Sequence, residues 1–195
     1  MDTLGSPAYL DQSLLAAPRE QANRQFIAAW LGWRGAGRIL PKRSAVELED
    51  IKHLLGRVVL LEIISRDDIR IKVAGSQLRE HANFEATGKN FADITPPEQW
   101  PTRRWHLTEM ATRPCGGALI TRDTQTLTGE GVSFEAVTLP VEPEGPARPR
   151  LLMSNVAVLG GIYEPAAKHR PQIIRLADKF RFLDLGAGVP NHVEP

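Results

Sequence analysis

The chain has 195 residues, with 24 lysines and arginines against 23 aspartates and glutamates and a formal net charge of +1. That length suits one domain with appendages and is short for two independent cores, and the even balance gives no electrostatic footprint for nucleic acid or an anionic lipid surface. No stretch approaches the roughly eighteen consecutive apolar residues of a membrane span, the N-terminus lacks the basic start of a signal peptide, and the lone Cys115 excludes an intramolecular disulfide, so the expectation is a cytoplasmic protein with no nucleic-acid partner and no membrane insertion.

Residues 1–18 hold small and turn-forming residues without sustained periodicity, which predicts a flexible leader. From Arg19 to Arg34 the pattern changes. Ala22, Phe26, Ile27, Trp30 and Trp33 recur at helical spacing, Glu20 and Arg24 form an i,i+4 pair, and Gly35-Ala36-Gly37 ends the run. This predicts an amphipathic helix whose aromatic stripe must be covered by the chain's own sheet or by another copy. Burying Phe26, Trp30 and Trp33 is worth about 5 to 8 kcal/mol, at about 1.5 to 3 kcal/mol per large apolar side chain. Val46, Leu48, Ile51, Leu54 and Leu55 predict a second, short helix closed by Gly56, so residues 19–56 read as an N-terminal helical flank.

Val58–Ile64 is rich in β-branched residues and nearly all apolar, as in a strand covered on both faces. Ser65–Asp68 makes a tight connection to a second strand in which Ile69, Ile71 and Val73 share one face against Arg70 and Lys72. The alternation then stops at Gly75. Ser76 is an N-cap candidate for a short helix holding Leu78 and His81, Gly88 marks a break before a turn at Phe91–Ile94, and Thr95-Pro96-Pro97-Glu98 has capping-box spacing ahead of a helix with Trp100, Trp105, Leu107 and Met110. Pro101 is expected to restart that helix, since an interior proline costs about 3 kcal/mol. Strands follow at Gly116–Asp123, Gly131–Val141 and Arg150–Gly160, with Glu142–Pro149 as an exposed turn. Two strands, a helical excursion of about forty residues and three strands make an α+β layout, with the excursion packed on one sheet face. Residues 57–160 form this core and 161–195 a C-terminal extension. In the extension, Ile173, Leu176, Ala177, Phe180 and Leu183 fit a helix ending at Gly186, while Phe180–Leu185 also fits a strand.

That element order is the order of the PAS fold, and local residues sharpen the comparison. Arg38-Ile39-Leu40-Pro41-Lys42-Arg43, then Val58–Ile64, then Ile71–Ser76 with Thr87-Gly88 beginning twelve residues beyond Gly75, then Phe134–Pro140, resemble the landmarks of a bacterial single-domain PAS family frequent in alphaproteobacteria. The resemblance spans about residues 24–160. It implies a five-stranded antiparallel sheet with helices inserted between strands two and three, a concave face that with those helices can enclose a small molecule, and a non-enzymatic sensory or protein-interaction module signalling through a partner protein or a homodimer. No cofactor is identified. The chain lacks the cysteine-containing helix motif of flavin photosensors, the context of a proximal haem histidine, and any kinase, cyclase or DNA-binding segment. Ile71, Val73, Leu78, His81, Phe91, Trp105 and Met110 are the candidate ligand-binding residues, with a filled core as the alternative. Phe26, Trp30 and Trp33 are the candidate dimer or partner face.

Other chemistry has thinner support. His53, His81, His106, His169 and His192 are dispersed with no metal-ligand spacing, and His81 and His106 are the better placed because both fall in the helical insert. Ser76 and Ser133 lack a nucleophile-elbow context. Glu62 and Glu135 stand inside apolar strands, so either could serve a small enzyme as a buried general base, or be an outward charge paired to a cation. Arg34, Arg38, Lys42 and Arg43 around Gly35-Ala36-Gly37 read as a solvated basic connector sooner than as an anion grip. A purely structural oligomerisation adaptor is the third alternative.

Overall fold

Val58–Ile63 (β1) and Ile69–Ala74 (β2) form the expected hairpin, and Gly116–Gln125 (β3), Gly131–Val141 (β4), Arg150–Val158 (β5) and Lys179–Leu183 (β6) complete an antiparallel sheet in the order β2-β1-β5-β4-β3-β6. This computed structural model describes residues 7–82, 85–125, 131–145, 148–158 and 179–191. Among the described residues the sheet has six strands where five were expected. The sixth comes from the C-terminal extension: Lys179, Phe180, Arg181, Phe182 and Leu183 alternate with period two, and pairing with the edge of β3 resolves the helix-or-strand ambiguity for this segment. The remainder of the proposed helix, including Ile173, Leu176 and Ala177, lies outside the described residues.

Each sheet face carries its own core. The outer face is covered by Pro7–Ala16 (α1), Gln21–Arg34 (α2) and a 3-10 segment, Leu48–Arg57, around Phe26, Ile27, Trp30, Ile51, Val137 and Leu139. The inner face is covered by the excursion: Ser76–Ala82 (α3), a 3-10 turn at Phe91–Ile94 and Trp100–Thr112 (α4), around Leu61, Ile69, Ile71, Leu107, Met110 and Leu152. Within α4, Pro101 sits in the first turn as expected. Thr95 does not cap α4. Its hydroxyl donates to the Phe91 carbonyl at 2.8 Å and closes the preceding 3-10 turn instead.

Within the segment read as a leader, Pro7–Ala16 forms α1, with Leu14 in the outer core and Asp11 paired to Arg34 at 2.8 Å. The common face of Ile69, Ile71 and Val73 fails at its last member, because the register shifts between Leu60 and Leu61, so that Leu61 faces Ile71 but Leu60 faces Val73. The extra residue turns the Val73 side chain outward, and it is 47% exposed while Ile69 and Ile71 are buried.

The Gly75 landmark has a steric cause. A Cβ there would lie 2.4 Å from the backbone carbonyl of Gly56, so only glycine lets β2 end against the 3-10 segment. The Thr87-Gly88 landmark marks where the chain returns to the edge of β2. There Gly88 N donates to Ile71 O at 2.6 Å and Ile71 N to Lys89 O at 3.0 Å, which covers that edge.

Candidate functional site

The inner layer takes its shape from α4. Arg103, His106, Leu107, Met110 and Ala111 are its buried positions, following the i, i+3, i+4, i+7 rhythm of one helical face. Its C-terminal half is apolar, against Leu61, Ile63 and Leu152. Its N-terminal half brings two polar groups inward, and the Arg103 guanidinium carbon lies 5.9 Å from the centroid of the Phe91 ring. Burial pulls the pKa of Arg103 down to about 10, which leaves it charged at neutral pH. On the sheet, alternation places Thr138 and Ser154 on the same side as Leu152, with their hydroxyls 2.6 Å apart and buried. Thr121 of β3 is buried as well.

Polar chemistry in the outer layer has a different purpose. Glu135 projects from β4 toward α2, where its carboxylate accepts from Arg19 N at 2.8 Å, Glu20 N at 2.9 Å and Asn23 Nδ2 at 3.0 Å. Asn23 also donates to the Glu135 carbonyl at 3.1 Å, and its own carbonyl oxygen accepts from Asn155 Nδ2 at 2.8 Å. The backbone N–H groups at the start of a helix have no intrahelical partner, so a buried carboxylate from the sheet serves as their acceptor and fixes the helix in register. Further along α2, Trp30 Nε1 donates to the Pro140 carbonyl at 3.0 Å and Trp33 Nε1 to Asp50 at 2.8 Å.

Residues 19–154 match a family model described as PAS domain. The chain belongs to the PAS family. PAS domains are sensory and interaction modules, and family membership gives this chain a role of that kind. No curated protein matches the sequence. Among solved structures the chain is similar to the LOV protein of Rhodobacter sphaeroides, at 13% identity and a TM-score of 0.41 over 58% of this chain and 67% of that one. It is also similar to a fungal LOV-domain photoreceptor, at 14% identity and a TM-score of 0.37 over 52% and 73%. At such scores these two carry no weight, and the assignment rests on the family match.

Within the PAS architecture the seven candidate ligand residues separate. Ile71 and Met110 are buried together in the inner core and Phe91 packs against it. Trp105 is half-buried and meets Phe182 edge-on at 5.4 Å, Leu78 is half-buried on α3, and Val73 points outward at the bulge. The His81 side chain is outside the described residues, as are His169 and His192. The rings of Phe26, Trp30 and Trp33, expected as a partner face, lie inside this chain's own outer core, so the sheet rather than a second copy covers them.

The two carboxylate candidates also have structural duties: Glu135 holds α2, and Glu62 is half-buried with Lys72 Nζ 2.6 Å away. Two cations of the basic connector are paired, Arg34 to Asp11 and Arg38 to Glu142. Cys115 is buried where β3 begins, and burial together with the neighbouring Glu109 pushes its thiol up to about 12. Among the described residues no cluster of three metal-ligating side chains forms, and no helix is long and apolar enough to cross a membrane.

Sequence reasoning missed Arg103, Asn23 and Asn155, and named His106 only as a candidate metal ligand. Helical phase could have placed Arg103, His106 and Asn23 on buried faces. Arg103 precedes Leu107 and Met110 by four and seven positions, His106 precedes Met110 by four, and Asn23 stands in the same relation to Ile27 and Trp30. Asn155 carries no such signal, because a strand residue acquires a role only when register sets its neighbour.

Proposed function

We propose that this chain is a bacterial, cytoplasmic, non-enzymatic PAS sensor that holds a small molecule between α4 and the inner sheet face and reports it through a partner protein or a homodimer. The observation behind this reading is the composition of the inner layer. Small-molecule sites are mostly apolar with a few placed polar groups, and here Arg103, His106, Thr121, Thr138 and Ser154 are buried on elements that also bury Leu107, Met110 and Leu152. The carboxylate-base alternative loses support because Glu135 already accepts three donors and Glu62 is paired to a lysine.

The test is native mass spectrometry of the freshly purified chain, with thermal shift against small carboxylates, nucleotides and apolar acids. A retained mass, or a stabilising compound whose effect disappears in Arg103→Met, is the expected result. A chain that retains no mass and shifts with none of these classes is an interaction adaptor and not a receptor.

A further inference from the structure

Strand geometry puts successive side chains of β6 on opposite faces of the sheet, so this short strand touches both layers. On the inner face Phe180 stacks on the His106 ring, with centroids 3.6 Å apart and 17° between the planes, and Phe182 meets both Trp105 and Phe180 edge-on. Gly117 permits this approach, because a Cβ there would lie 2.6 Å from the Met110 sulfur and 3.0 Å from the Phe180 ring. On the outer face Arg181 donates to the Ala17 carbonyl in the link between α1 and α2, and Leu183 joins Leu14 in the outer core. Just beyond Ala17, the Arg19 and Glu20 amides donate to Glu135.

We propose that β6 is a mechanical coupler that makes the docking of the α2 N-terminus depend on the position of α4; this rests on the inner layer being the sensory one. The strand is clamped by rings on one face and by Arg181 and Leu183 on the other. A tilt or slip that accommodates a displaced α4 therefore moves both sets of contacts together, since alternation ties the two faces to one backbone. The strand is five residues long and pairs with β3, so it can shift without opening the central strands. The element with two arrangements is the start of α2, latched on Glu135 or released from it, and local release of a helix end needs far less free energy than global unfolding.

Hydrogen exchange on the full chain, with no ligand added, tests this. The amides of Arg19 and Glu20 report the latch, and those of Val137 and Leu139, in a central strand, report global opening. In His106→Ala and in the milder Phe182→Leu, latch exchange is expected to rise at least about fivefold beyond any rise at Val137 and Leu139, the lower end of typical coupling between sites. In an Arg181→Ala background His106→Ala should add nothing further at the latch. Equal rises at all four amides, or a latch that does not respond in a folded Phe182→Leu protein, overturns the coupler. Such a failure leaves the sensory reading standing, whereas a chain that retains no small molecule removes the receptor and leaves the coupler.

Discussion

The two layers on the sheet are built on opposite principles. The outer one is a long helix with an aromatic stripe sunk into the sheet, and Glu135, Asn23 and Asn155 link it to the sheet through buried hydrogen bonds. The inner one is a string of short helices whose buried face is half apolar and half polar, with rings of intermediate burial at its β6 side. Dense packing and buried hydrogen bonds hold the aromatic stripe of α2 in one arrangement. The contrast sets a packed aromatic stripe on one face against a helix face of mixed apolar and polar character on the other.

Mutations can break or sharpen that contrast. The largest effect is expected for Trp30→Ala in the outer core, where removing a fully buried ring costs about 3 to 5 kcal/mol, read from the denaturant midpoint. Trp105→Ala, on the half-buried edge of α4, should cost less than half as much, and equal losses would erase the distinction between the layers. Gly75→Ala comes next, at about 1 to 3 kcal/mol, because its methyl must displace the Gly56 backbone.

The two strand carboxylates give a direct pair. Glu135→Gln replaces an acceptor facing three donors and should lose about 1 to 3 kcal/mol. Glu62→Gln breaks a partly exposed pair with Lys72 and should lose about 0 to 1 kcal/mol.

The smallest effect concerns Cys115. Its folded pKa of about 12 lies above the ordinary value of 9.0, so the protonated thiol favours the folded state. That contribution is fully present below pH 9 and is lost as pH rises toward 12. At pH 8 the folded chain should react with a thiol reagent far more slowly than the urea-unfolded chain.

Much of this fold was legible because periodicity survives in short windows. Val58–Ile63, Gly131–Val141 and the stripe of α2 announce themselves by spacing alone, and Gly75 and Gly88 mark where the hairpin gives way to helices. The site was less legible. Ile71 and Met110 fell where their patterns put them, but Val73 was reversed by one bulged residue, a feature that alternation cannot show. Arg103 was passed over because charge on a helix is ordinarily solvated, and only the cover supplied by the sheet makes it internal.

The sequence by itself determined the order of elements from α2 to β5, the amphipathic face of α2 and the family, because these follow from local sterics and from the spacing of apolar residues. Tertiary structure alone decided which face each layer covers, that the aromatic stripe of α2 meets its own sheet, and that a sixth strand joins the edge of β3. It also turned Glu135 from a candidate base into the clasp of a helix. These outcomes depend on residues far apart in sequence being brought together, more than a hundred positions apart for the clasp on α2, and no short window along the chain contains both partners.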